Sequence, residues 1–178
     1  MKLKYSGWFT GVRRIVSPNH DARPPGMPIN MLVIHSISLP PDEFGSNAVE
    51  KFFTNQLDTT SHPYYAQLRE LKVSAHFFIR RNGCIIQFVA CTRRAWHAGV
   101  SSWQGRTRCN DFSIGIELEG SDTLPYTPRQ YLALSRLTRR IQRAYPIHNI
   151  VGHNDIAPQR KTDPGSHFDW EHYRDLLK

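Results

Sequence analysis

The stretch Phe112-Ser-Ile-Gly-Ile-Glu-Leu118 constrains this chain more than any other, because its apolar residues alternate with small or charged ones and include β-branched side chains. It reads as a central strand whose end carries Glu117 and Glu119. A second apolar run, Met31-Leu-Val-Ile34, is typical of a buried strand and ends in His35, and a third, Ile147 to Val151, leads into Gly152-His153. Ala75 to Ile79 and Ile85 to Val89 flank Asn82-Gly83, a two-residue hairpin signal because both positions tolerate positive φ. Helices separate these strands. Ser46 or Asn47 is placed to cap a short amphipathic helix carrying Val49, Phe52, Phe53 and Leu57. Thr127-Pro128-Arg129-Gln130 supplies an N-cap, a proline at the first helical position and a capping-box glutamine, opening a helix with Leu134, Leu137 and Ile141 on one face. A last helix is expected from about Asp169. Interleaved strands and helices without repeats or a linker define one α/β domain over residues 1–178, with residues 1–28 as an irregular arm packed on it.

Composition narrows the function classes. An apolar fraction of 39% with 11% aromatics argues against disorder, and no apolar run approaches the roughly 20 residues of a membrane span. Gly, Trp and Arg interrupt every would-be signal-peptide core near the N-terminus. Cys84, Cys91 and Cys109 form no CxxC pair, and an odd count does not read as a disulfide framework, so a reducing cytoplasm is expected. A net charge of +8 would suit a polyanion partner. The basic residues are scattered in pairs without a nucleic-acid-binding motif, however, so neither nucleic acid nor membrane is expected as a partner.

Of nine histidines, His35 and His153 directly follow apolar runs, so two strands can deliver two imidazoles to one sheet edge. Asp163 follows His153 through a proline-punctuated loop long enough to fold back with an oxygen ligand. Two nitrogens and one carboxylate oxygen leave a fourth tetrahedral position open, the pattern of a catalytic zinc. The spacing lacks the compactness of HExxH and leaves other histidines in contention. Glu117 and Glu119 lie on one face of their strand.

The segments VIHS (33–36), SAHFFIRRNGCIIQFV (74–89), RAWHAGVSSWQGRTRCNDFSIGIELEG (94–120) and VGHNDIAPQRKTDPG (151–165) closely resemble the anhydro-muramyl-alanine amidases of bacterial cell-wall recycling. That group lies within the wider N-acetylmuramoyl-alanine amidase and peptidoglycan recognition protein superfamily. The resemblance implies a mixed central β-sheet flanked by helices and one zinc ion on His35, His153 and Asp163. It implies Glu117 as the catalytic carboxylate and Lys161 as the cation beside the metal. It also implies Arg108, helped by the backbone at Ala157, as the contact for a stem-peptide carboxylate. His76 and His97 match family histidines and read as structural or site-lining. Where the family carries Asn after its first histidine this sequence has Ser36, which puts any contact made by that amide in doubt. The implied protein is a cytoplasmic monomer acting on anhydro-muropeptides. A lytic amidase of intact cell wall, or a peptidoglycan-binding receptor without catalysis, are the alternatives.

Overall fold

The computed structural model describes residues 1–178. Six strands pair in the order β1 (Arg13–Arg14), β5 (Ile85–Gln87), β4 (Phe77–Ile79), β9 (Ser113–Glu119), β3 (Met31–Ile37), β10 (Asn149–Gly152). Strands β4, β9, β3 and β10 run parallel, β5 is antiparallel to β4, and β1 is parallel to β5. The sheet is therefore mixed, as expected. Two ribbons, β2 (His20–Ala22) with β6 (Arg93–Ala95) and β7 (Ser102–Trp103) with β8 (Arg106–Thr107), complete the strands. The helices are α1 (Ala48–Phe53), α2 (Pro128–Gln142), α3 (His153–Ile156) and α4 (Trp170–Asp175). No helix is long and apolar enough to cross a membrane.

Both faces of the sheet are covered, which is how parallel strands hide their polar ladders. Ile114, Ile116 and Leu118 of β9 join Leu32 and Ile34 of β3 against Leu134, Leu137 and Ile141 of α2 and Tyr173 of α4. On the other face Met31 and Val33 pack with Ala98, Phe112 and Ile156, while Phe78 and Ile86 meet Phe52, Phe53 and Phe88. The alternation in β9 thus separates two buried faces, not a core face from a wet one. Its second face carries Ser113, Gly115, Glu117 and Glu119, all buried.

The capping box of α2 forms as read, with the Thr127 hydroxyl accepting from Gln130 N and the Gln130 carbonyl oxygen accepting from Thr127 N. The Gln130 amide then donates to the carbonyls of Ile79 and Glu119, so one side chain fixes the helix start to two strands.

Three readings shift. The hairpin turn gives only Gly83 a positive φ, of 84°, whereas Asn82 uses its side-chain oxygen to accept from Cys84 N at 2.9 Å. The turn therefore takes a longer form, closed by Arg80 N donating to Cys84 O. The strands are shorter than read, Phe77–Ile79 pairing with Ile85–Gln87, with one further backbone bond from Phe88 N to His76 O, while the Gln87 side-chain amide donates to the carbonyls of Gly7 and Val89. The N-terminal arm is more regular than expected: it supplies the edge strand β1 and the ribbon strand β2.

That arm is held by Arg23, whose buried guanidinium donates to the carbonyls of Cys91, Asn110, Asp111 and Ser113. Burial pulls its pKa down to about 10, so it stays charged at neutral pH. Fully buried His76 lies 3.1 Å from that cation. Its Nδ1 accepts from Gly115 N at 3.0 Å and its Nε2 lies 3.0 Å from Arg93 O, a pairing that only the neutral ring satisfies. Burial, reinforced by Arg23, holds its pKa well below the ordinary histidine value. A histidine with a depressed folded pKa binds its proton in the unfolded chain first. Its contribution is therefore complete above the unfolded pKa of about 6.5 and is lost as pH falls below it, by about 1.4 kcal/mol per pH unit. Urea midpoints should fall between about pH 7 and pH 5, and His76→Asn, which keeps an acceptor for Gly115 N, should flatten that slope. An unchanged slope in the variant would contradict this assignment.

Candidate metal centre and active-site cleft

The parallel register places the site. His35 of β3 is paired with Glu117 of β9, and β10 pairs with β3 up to Gly152, so His153 emerges one residue beyond the strand. Side chains alternate along a strand, so His35, Glu117 and His153 share the face opposite α2 at the carboxyl ends of the parallel strands. In open α/β sheets this is where ligands collect.

Asp163 completes the group. Its carbonyl accepts from Asn154 N at 2.9 Å, and the next residue is gripped by Tyr126, whose hydroxyl donates to Pro164 O at 2.7 Å. Gly120 makes room for that tyrosine, since a Cβ there would lie 2.5 Å from its ring. The result is a triangle of ligand atoms: His35 Nδ1 to His153 Nδ1 3.0 Å, His35 Nδ1 to Asp163 Oδ2 3.2 Å, and His153 Nδ1 to Asp163 Oδ2 3.1 Å.

The protonation states show that this triangle suits a cation. Burial pushes the His35 pKa down to about 4, so the ring is neutral at pH 7. Burial alone would raise the Asp163 pKa, and its carboxyl stays below the usual range only while the facing imidazoles, or an ion held between them, supply positive charge to it. The other nitrogen of His153, Nε2, lies 3.2 Å from the Ala98 carbonyl, which only accepts, so a proton sits on Nε2 and Nδ1 is the nitrogen available to a metal. A bare nitrogen 3.1 Å from a carboxylate oxygen is repulsive unless a positive ion lies between them. The three residues form a group able to hold a metal ion, and two imidazoles with one carboxylate match the preferences of zinc.

Glu117 stands next to this triangle and is buried, at 8% exposure. Its Oε2 has no hydrogen-bond partner. Burial, with the Asp163 charge adding to it, raises its pKa well above the carboxylate range, while Lys161 works in the opposite direction. Glu119 differs in kind: Oε1 accepts from Gly45 N at 2.6 Å and Oε2 from Arg81 N at 2.9 Å, so it fastens two loops to the strand end. A cleft of about 580 Å³ opens over the triangle, walled by Glu117, His153, Asp163 and Lys161 on the polar side and by Phe52, Leu68, Leu71 and Trp96 on the apolar side.

The family model of N-acetylmuramoyl-L-alanine amidases matches residues 25–166. The chain belongs to this family. It is 54% identical to the 1,6-anhydro-N-acetylmuramyl-L-alanine amidase AmpD of Escherichia coli strain K12, over 98% of this chain and 97% of that one. A crystal structure of a selenomethionine AmpD derivative superposes with a TM-score of 0.97 at 53% identity, covering both chains completely. The amidase AmiD of E. coli, solved with anhydro-N-acetylmuramic acid-L-Ala-D-γ-Glu-L-Lys, superposes with a TM-score of 0.62 at 33% identity, over 98% of this chain and 65% of that one.

The other residues implied for this amidase fall in different places. Lys161 is part-buried in the cleft wall. Arg108 starts the turn before β9 in a left-handed conformation, is 69% exposed at the side chain and pairs with Asp111 at 3.2 Å. Ala157 offers no free donor to a carboxylate, because its N–H donates to His153 O and its carbonyl accepts from Arg160 and Lys161 N. Ser36 lines the cleft beside the Tyr126 hydroxyl. His97 touches the triangle from behind, with Nδ1 3.0 Å from His35 Nε2. Sequence reasoning overlooked Tyr126 and Arg160, whose guanidinium donates to the carbonyls of Ala98 and Val100. Both act on backbone carbonyls, which leaves no spacing signature.

The contrast between the two glutamates has a thermodynamic consequence. Removing the charge of Glu117 relieves a buried, unpartnered carboxyl oxygen, so Glu117→Gln should raise the melting temperature. Glu119→Gln weakens two charge-assisted bonds and should cost about 1–3 kcal/mol in urea unfolding. Equal effects from the two variants would refute the distinction.

Proposed function

We propose that this amidase binds one zinc ion through His35, His153 and Asp163 and hydrolyses the amide between the lactyl group of 1,6-anhydro-N-acetylmuramic acid and the L-alanine of the stem peptide. The observation that carries the reading is the buried, unpartnered Glu117 carboxyl oxygen in the wall of the same cleft as the ligand triangle. The near full-length relatedness to amidases named for that substrate supports the choice of bond. A zinc ion, when bound, supplies Lewis-acid polarisation of the scissile carbonyl and acidifies water.

The chain's own groups supply the rest. The Glu117 carboxylate takes a proton from the attacking water and returns it to the departing amine nitrogen as the carbon–nitrogen bond breaks. Its raised proton affinity suits a group that must do both. The Lys161 ammonium, close enough to lower the proton affinity of Glu117, stabilises negative charge developing on the carbonyl oxygen. The apolar wall of Phe52, Leu68, Leu71 and Trp96 faces the less polar parts of the muropeptide. Arg108, on an exposed turn, provides the fork for a stem-peptide carboxylate, with the Asp111 pairing holding it in place.

Asp163→Ala should lose zinc and turnover together. Glu117→Gln should keep stoichiometric zinc and lose about 10²- to 10⁴-fold in kcat. Mass spectrometry of reactions with soluble anhydro-muropeptide should show the free anhydro-sugar and the free peptide, with far slower release from intact sacculi. A fully active Glu117→Gln would refute the proton role, and a preference for sacculi would refute the substrate.

A further inference from the structure

We infer that His97 is a positioning residue for the metal site: it fixes the proton of His35 on the far ring nitrogen so that Nδ1 is presented bare to the ion. This rests on the metal assignment above and extends it to residues outside the ligand triangle.

The hydrogen positions are set outward from a group that can only accept. The Ser113 hydroxyl lies 2.6 Å from the Cys109 carbonyl oxygen, so its single proton points there. Ser113 Oγ also lies 3.2 Å from His97 Nε2 and, its proton committed, must accept, which places the His97 proton on Nε2. The neutral ring then has a bare Nδ1, and the atom facing it at 3.0 Å is His35 Nε2. His35 Nε2 therefore carries the proton, and His35 Nδ1 is left bare in the triangle. All links are buried, with Ser113 fully so, His35 at 1% and His97 at 8% exposure, so no bulk water competes.

The strand is shaped for this ring. A Cβ on Gly115 would lie 2.4 Å from His97 Cγ and 2.6 Å from Nδ1, so the glycine in SIGIELE is the space His97 occupies. The backbone is pinned as well: the Asn110 side-chain oxygen accepts from His97 N at 3.2 Å and Ala98 N at 2.8 Å. The very next carbonyl, Ala98 O, receives the Nε2 proton of His153. One dipeptide thus orients both histidine ligands, His97 through its side chain and Ala98 through its backbone. Such outer partners typically carry 10- to 100-fold of metal affinity.

The test is zinc affinity by competition with a chelating dye, together with long-range proton–nitrogen NMR of the zinc-loaded protein. His97→Leu, which removes the acceptor, should weaken zinc binding about 10- to 100-fold, and His97→Asn, which can place an oxygen near the old Nδ1, should recover most of it. Ser113→Ala deletes one oxygen and guards against a folding failure in His97→Leu. It should release His97 from a single tautomer and weaken zinc measurably. In the unaltered protein His35 should be protonated on Nε2. Unchanged affinity and unchanged His97 and His35 nitrogen signals in folded Ser113→Ala overturn the inference while leaving the metal site intact. Failure of the unaltered chain to bind zinc overturns the metal assignment, and the inference with it.

Discussion

Parallel pairing of β3 with β9 and β10 is the constraint on which the site depends. Because His35 is opposite Glu117, and β10 keeps step with β3 up to the residue before His153, two imidazoles and a carboxylate reach one end of one sheet face without a long loop having to place them. A slip of one residue would send all of them into the α2 core. The register is protected by that core: Leu32, Ile34, Ile114 and Ile116 have no other place to be buried. Packing energy on one face therefore specifies chemistry on the other.

That arrangement brings an electrostatic cost. Neutral His35, bare His153 Nδ1, an ionised Asp163 and an unpartnered Glu117 are gathered in a buried region whose own charges do not balance. A divalent ion held there would resolve the repulsion in the triangle, and Lys161 offsets part of the cost at Glu117. The contrast with Glu119, two residues away and fully satisfied by backbone N–H groups, shows that the strand end is capable of satisfying a carboxylate. At Glu117, which lines the cleft, one carboxyl oxygen is left without such a partner.

Most of the scaffold was legible because local patterns and tertiary needs agree. The apolar runs ending in His35 and His153 are strands, the Thr127-Pro128 motif caps α2, and the mixed sheet is the one the family resemblance implies. The ligand trio owed its selection among nine histidines to that resemblance, since Asp163 arrives through a loop whose shape depends on distant contacts such as Tyr126 with Pro164. The turn at Asn82-Gly83 differed because Asn82 spends its side chain on Cys84 N instead of adopting positive φ. Ala157, implied as a backbone contact, has its N–H and carbonyl engaged within its own turn, which the linear sequence does not reveal. The glycine in SIGIELE read as part of an alternating strand; that it is a recess for His97 needs three dimensions.

The central claim is that two imidazoles and one carboxylate, brought together by strand register, hold one zinc ion in a site built for chemistry. X-ray absorption at the zinc edge on the purified protein addresses it directly. One zinc per chain with two imidazole scattering patterns and oxygen in the remaining positions is the predicted result. A sulfur shell from the buried Cys91 or Cys109, or a spectrum without imidazole, would contradict it.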